Sequence, residues 1–164
     1  VSDALWVGVI VGALLLVILT TVFSLSSAIF NARVSGEGAR YWVRADAGFQ
    51  QWLKRITGRS IGYGRQMLMV LRAEGIELYT PHRIEPVWTT SYKDIVRIGT
   101  EAFRSRSVPN TRAVRIEFDN YGSIAVRPEL LWIPARFSPA ALVDELARDL
   151  AERAQRAESA RSRE

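Results

Sequence analysis

The sequence predicts an α+β protein: an N-terminal transmembrane helix, then an antiparallel β-barrel or sandwich capped by a C-terminal helix. Three observations carry this. Residues 4–32 hold no charged side chain. Residues 61–128 alternate apolar and polar side chains between turns marked by Gly and Pro, as half-buried strands do. Residues 138–154 return to a helical stripe behind a Ser-Pro start.

Composition bounds the rest. A chain of 164 residues has room for one domain of ordinary size and an extra element. Apolar residues make up 48%, enough for a packed core, and the 24% charged fraction is that of a folded protein. There are no cysteines, which excludes disulfides, thiolate zinc sites and cysteine nucleophiles. Of the 22 basic residues only Lys54 and Lys93 are lysines, a bias that marks GC-rich bacterial coding more than phosphate chemistry. The net charge of +5 favours an anionic surface as a partner.

The first element is "LWVGVIVGALLLVILTTVF" at 5–23. A spanning helix needs ~20 apolar residues at ~1.5 Å rise each, so 1–32 is expected to be an anchor. Trp6 and Phe30 fall near the two interfaces, where aromatic rings are favoured. The competing reading is a cleaved signal peptide, with "SLSSA" (24–28) as the small-residue site. That needs a basic start and a short apolar run, whereas only Asp3 precedes this long one. Arg33, Arg40, Arg44, Lys54, Arg55 and Arg59 crowd the C-terminal flank. The positive-inside rule then gives a single-pass protein of the cell membrane with its C-terminal domain in the cytoplasm. Gly8 and Gly12 make a GxxxG spacing, either a partner-contact face or a commonplace of apolar helices.

Residues 33–60 form a basic amphipathic juxtamembrane segment. After "SGEG" (35–38), Trp42, Ala45, Phe49, Trp52 and Ile56 recur at spacings of 3, 4, 3 and 4, which predicts one helix over 40–56. Arg40, Arg44, Lys54 and Arg55 lie mostly off that stripe. Two readings stay open. The segment lies on the bilayer, with Arg40, Trp42, Arg44, Phe49, Trp52, Lys54, Arg55 and Arg59 at the membrane interface. Alternatively, the stripe docks on the soluble domain.

The soluble domain is expected over 61–157. "RQMLMVLRAEGIELY" (65–79) reads as a hairpin turning at Ala73-Glu74-Gly75. "VWTTSYKDIVRIG" (87–99) offers two short strands joined at Ser91-Tyr92. In "RAVRIEFD" (112–119), Val114, Ile116 and Phe118 share one face, and the chain returns through Ile124 and Val126. Ser138 and Pro139 open the last helix, whose stripe is Leu142, Val143, Leu146 and Leu150. The stripe stops at Ala154, and 158–164 is expected to be a disordered tail.

"LMVLRAEGIELY", "WTTSYKDIVRIG" and "VRIEFDNYGSIAVRP" together resemble bacterial pleckstrin-homology-like (PH-like) and GRAM-like domains. The resemblance covers roughly residues 61–157. Small one-pass proteins with such a domain are frequent in actinobacteria, consistent with the arginine bias. It implies a bent barrel capped by 138–154, with Leu142, Leu146 and Leu150 as the plug. Phosphoinositide-binding members carry several basic residues at the first hairpin loop, but this turn has Arg72 beside Glu74. Protein-interaction platforms are the other implied role.

No catalytic constellation is present. His82 is the single histidine, and no HExxH, Walker, GxGxxG or GxSxG motif occurs. No catalytic residue, metal site or cofactor is expected. Arg104 and Arg106 lie in an Arg-rich loop, a solvated segment or a lipid or acidic-partner contact. Leu131 and Trp132 sit in "LLWIPARF" (130–137), which holds more apolar side chains than one strand face buries. The expected function is a non-catalytic, membrane-anchored binding or scaffold module, with a protein partner or anionic lipid as ligand and no nucleic acid. The alternative is an accessory subunit of a larger membrane complex.

Overall fold

The structure, a computed structural model, describes residues 2–34, 36–58, 66–80, 83–103, 111–120, 122–129 and 140–162. The chain divides into two compact units, Val1–Gly36 and Glu37–Glu164.

The first unit is one helix, α1 (Ser2–Arg33). Its side chains are described from Trp6 to Val22, and the large apolar ones are all exposed, Trp6 and Leu16 to 67% and 65%. The hydroxyls of Thr20 and Thr21 donate to the carbonyls of Leu16 and Val17 at 2.9 and 2.8 Å, so both are satisfied within the helix. Among the described residues no helix is long and apolar enough to cross a membrane. That corrects the expectation of a transmembrane anchor over 1–32. The described apolar stretch, 6–22, rises about 25 Å, short of the ~30 Å hydrocarbon core of a bilayer.

The second unit begins with a strand where one helix was expected over 40–56. Strand β1 (Ala39–Ala45) is followed by α2 (Ala47–Thr57). The break falls at Asp46, which caps α2 by accepting the Phe49 backbone N–H at 2.6 Å. Before the break, Tyr41, Val43 and Ala45 alternate inward at period 2, so the helical spacing of Trp42 and Ala45 was coincidence. Gly58 ends α2 in the left-handed region at φ 66°, a conformation glycine adopts without strain.

The hairpin expected over 65–79 is β2 (Gln66–Leu71) and β3 (Gly75–Tyr79). Then come β4 (Trp88–Ser91), a 3-10 turn (Tyr92–Asp94), β5 (Ile95–Phe103), β6 (Thr111–Phe118), β7 (Gly122–Pro128) and α3 (Ala140–Arg161). Helix α3 runs past Ala154, where the stripe was expected to stop, because Ala157 still packs on the core. Ser138 and Pro139, its expected start, lie outside the described residues.

All seven strands join one antiparallel sheet in the order β4-β3-β2-β1-β7-β6-β5. In a flat sheet β4 and β6 would stand about 24 Å apart, five strand spacings. Instead the Trp88 and Phe118 rings meet edge to face at 5.5 Å, so the sheet curls into a half-barrel. The 3-10 turn ties its two ends: the Tyr92 N–H donates to Glu74 C=O, and the Asp119 N–H to Asp94 C=O. Gly75 is required at this closure, since a Cβ there would meet the Thr90 carbonyl oxygen at 2.0 Å.

The concave side holds the core. Met67, Met69, Leu71, Ile116, Ile124 and Val126 point into it, together with Phe49 and Leu53 of α2. Val143, Leu146 and Leu150 of α3 close it, while Leu142 is only half-buried. Each such side chain contributes ~1.5–3 kcal/mol by leaving water.

Candidate functional site

The two ends of the curled sheet differ. Strand β4 has four residues, whereas β5 has nine and pairs only with β6 among the described residues. Among the described residues no strand lies on its other edge, which presents a row of backbone N–H and C=O groups. The register slips between Ile95 and Arg97, which makes Val96 the extra, bulged residue. The slip lets Ile95 and Ile98, three apart, both pack on the core while Val96 stands 67% exposed.

Helix α3 forms the opposite wall. Its small residues Ala151 and Ala154 leave a groove of about 470 Å³ against the 3-10 turn and the start of β5. The floor is apolar, from Ile95 and Ile98. The lining also carries Lys93, Arg97 and Arg161 and, among the described residues, one carboxylate, Glu158. Among the described residues none of these three cations has an ion-pair partner.

A polar network fixes the helix wall. The Arg153 guanidinium pairs with Asp149 at 2.7 Å and donates to the Arg72 carbonyl at 3.1 Å. The Tyr92 hydroxyl donates to that same carbonyl at 2.9 Å, and the Tyr41 hydroxyl donates to Asp149 at 3.3 Å. Burial pushes both tyrosine hydroxyls up to about 12, with Asp149 and Glu145 adding to the rise at Tyr41. Both phenols therefore remain protonated donors at neutral pH.

A second charged group lies on the convex side of the sheet. Arg127, fully buried, pairs with Glu129 and donates to the Thr111 hydroxyl at 3.1 Å. Its guanidinium sits 5.1 Å from the centre of the Phe103 ring. Arg44 reaches the same carboxylate at 2.9 Å, and the Gln66 amide donates to it at 2.8 Å. This knot joins β1, β2 and β7; Arg127 and Glu129 are buried within it, while Arg44 is a quarter exposed.

The residues singled out in the sequence are scattered by this fold. Phe49 is 1% exposed in the core, and Trp52 stacks on it at 5.3 Å and meets Trp88 at 5.5 Å. For these two the docking alternative describes the packing. Arg40, Trp42 and Arg44 belong to β1, and Lys54 and Arg55 are exposed on the last turn of α2. Around Gly8 and Gly12 an added Cβ would meet nothing within 4 Å. Arg59, Arg104, Arg106, Leu131 and Trp132 lie outside the described residues, as does His82. Among the described residues no cluster of three metal-ligating side chains occurs.

Sequence reasoning missed the groove. Lys93, Arg97 and Arg161 come from three elements, and no spacing links them. The one local signal was in "DIVRIG", where Ile95 and Ile98 break the period-2 pattern as a bulge requires. Compared with known proteins, the chain matches no family model and no curated protein.

Proposed function

We propose that this chain is a membrane-attached, non-catalytic binding module that holds its β-rich unit at a membrane surface for a protein partner. The observation that carries the reading is α1. Trp6, Val7, Val9, Ile10, Val11 and Leu14–Leu19 are exposed at near-consecutive positions, and hence on every face of the helix. A helix apolar all round needs an apolar phase around it, and lipid is the phase that reaches all faces at once. Attachment suffices for this reading; it does not depend on crossing. Confinement at a surface raises the effective concentration seen by a weak site.

The curled antiparallel sheet and its amphipathic C-terminal helix support a PH-like reading of the second unit. A protein ligand suits it better than an inositol phosphate, because Arg72 at the β2–β3 turn is already engaged by Glu77 at 2.7 Å. Flotation of the full chain with phosphatidylcholine vesicles tests the attachment. The chain should float, and Leu15→Lys with Ile18→Lys should stay in solution. A wild-type chain that remains soluble contradicts the proposal. Binding only to vesicles containing phosphatidylserine, abolished by salt, would replace the apolar helix with surface charge as the cause.

A further inference from the structure

We infer that the groove between α3 and the start of β5 binds a single-chain carboxylate amphiphile of the fatty-acid class, its alkyl chain on the apolar floor and its carboxylate among the groove cations. The inference goes beyond the binding-module reading above and does not depend on it.

Three features of the groove converge. The first is size: its volume of about 470 Å³ lies within the ~300–1,000 Å³ range of small-ligand sites. The second is the kind of surface it exposes. Ile95 and Ile98 form the floor, the short Ala151 and Ala154 leave the space above it open, and Val96 stands 67% exposed in the same lining. These five side chains are all aliphatic. An alkyl chain laid along them leaves water together with the surface it covers, and each methylene fully withdrawn raises affinity about fourfold.

The third is charge. Lys93, Arg97 and Arg161 line the groove, and among the described residues none of them has an ion-pair partner. Elsewhere in this unit Arg44, Arg72, Arg112, Arg115, Arg127 and Arg153 are all ion-paired. An incoming carboxylate therefore displaces no described internal partner, and the guanidinium fork matches its two oxygens. Glu158 lies in the same lining and opposes a phosphate head of charge near −2 more than a singly charged carboxylate.

The bulge decides between an alkyl chain and a strand as occupant. The register slips between Ile95 and Arg97, at the groove itself, which breaks the regular spacing of backbone groups that a further strand would need. An alkyl chain makes no hydrogen bonds and is indifferent to that break.

Nuclear magnetic resonance of the full chain in phosphatidylcholine nanodiscs, with isoleucine δ1 methyls labelled, tests this. Decanoate should shift the Ile95 and Ile98 methyls saturably and leave Ile76 of the core and exposed Ile84 unmoved. Decyltrimethylammonium, with the same chain and the opposite charge, should shift none of them. Arg97→Glu combined with Arg161→Glu should weaken decanoate binding about tenfold or more and admit the ammonium. Ala151→Leu, at an exposed position, should fill the groove and abolish the decanoate shifts while the Ile76 methyl keeps its place. Three outcomes overturn the inference: no saturable shift at Ile95 and Ile98, equal shifts with both amphiphiles, or undiminished decanoate binding in the charge-reversed variant. Tighter binding of decyl phosphate than of decanoate overturns it too, by giving the groove to a phosphate head. Flotation does not involve the groove, so a chain that floats yet fails here loses the amphiphile site and keeps the membrane-attached reading.

Discussion

Two groups of basic side chains in the same unit are built in opposite ways. Arg44 and Arg127 converge on one carboxylate, Glu129, with Arg127 fully buried and its charge spent inside the fold. Lys93, Arg97 and Arg161 are exposed around a groove whose lining, among the described residues, holds one carboxylate, Glu158, and none of the three has an ion-pair partner among those residues. The comparison teaches that what a guanidinium does is set by what stands opposite it. A buried cation must be matched internally or the fold fails, whereas an exposed unmatched one is available to a ligand.

The largest effect should come from breaking the buried group. Glu129→Ala leaves Arg127 uncompensated in the interior and should lower unfolding free energy by about 3–5 kcal/mol, read by denaturant titration. Replacing both partners, Arg127→Met with Glu129→Leu, should recover most of that loss, because the cost is the stranded charge rather than the missing bond. If the double variant is as unstable as the single one, the knot contributes more than charge balance.

Alkaline pH sharpens the comparison through the network that fixes the groove wall. The Tyr41 and Tyr92 hydroxyls sit at about 12 in the fold, against 10.0 for the unperturbed phenol. A group whose folded value is raised contributes stability that is complete below its unfolded value and is lost as pH climbs toward the folded one. Stability should therefore hold to about pH 10 and fall between about 10 and 12. Tyr41→Phe should make that fall shallower in a pH series of thermal melts. At the small end, Arg97→Glu with Arg161→Glu should change stability by no more than about 0.5 kcal/mol, since both are exposed and neither has an ion-pair partner among the described residues.

The same comparison explains what the sequence made legible. The hairpins over 65–79 and 112–128 were readable because alternation and Gly-marked turns are local, and the stripe of α3 was readable for the same reason. The segment 40–56 misled because Trp42 and Ala45 of β1 happen to continue the helical period of Phe49 and Trp52 on α2, while the Asp46 cap that divides the two elements is a single residue. Arg127 reads in sequence as an outward residue of β7, next to inward Val126. Its surroundings combine Glu129, two residues on, with Phe103 and Thr111 from other strands. The groove was hidden for a related reason: it exists only where the curl of the sheet brings the start of β5 beside the C-terminal half of α3. The spanning anchor expected over 1–32 rested on length and hydropathy, and the described apolar stretch of α1 falls short of a crossing.

The central claim is that the all-round apolar surface of α1 attaches the chain to a membrane. The chain has no cysteine, so a single nitroxide label can be placed by Leu15→Cys on α1 and, as a control, by Ile84→Cys; both positions are exposed. Electron paramagnetic resonance should report immobilisation of the label at 15, and not at 84, when phosphatidylcholine vesicles are added. A label at 15 that stays as mobile as the control with vesicles in excess would contradict it.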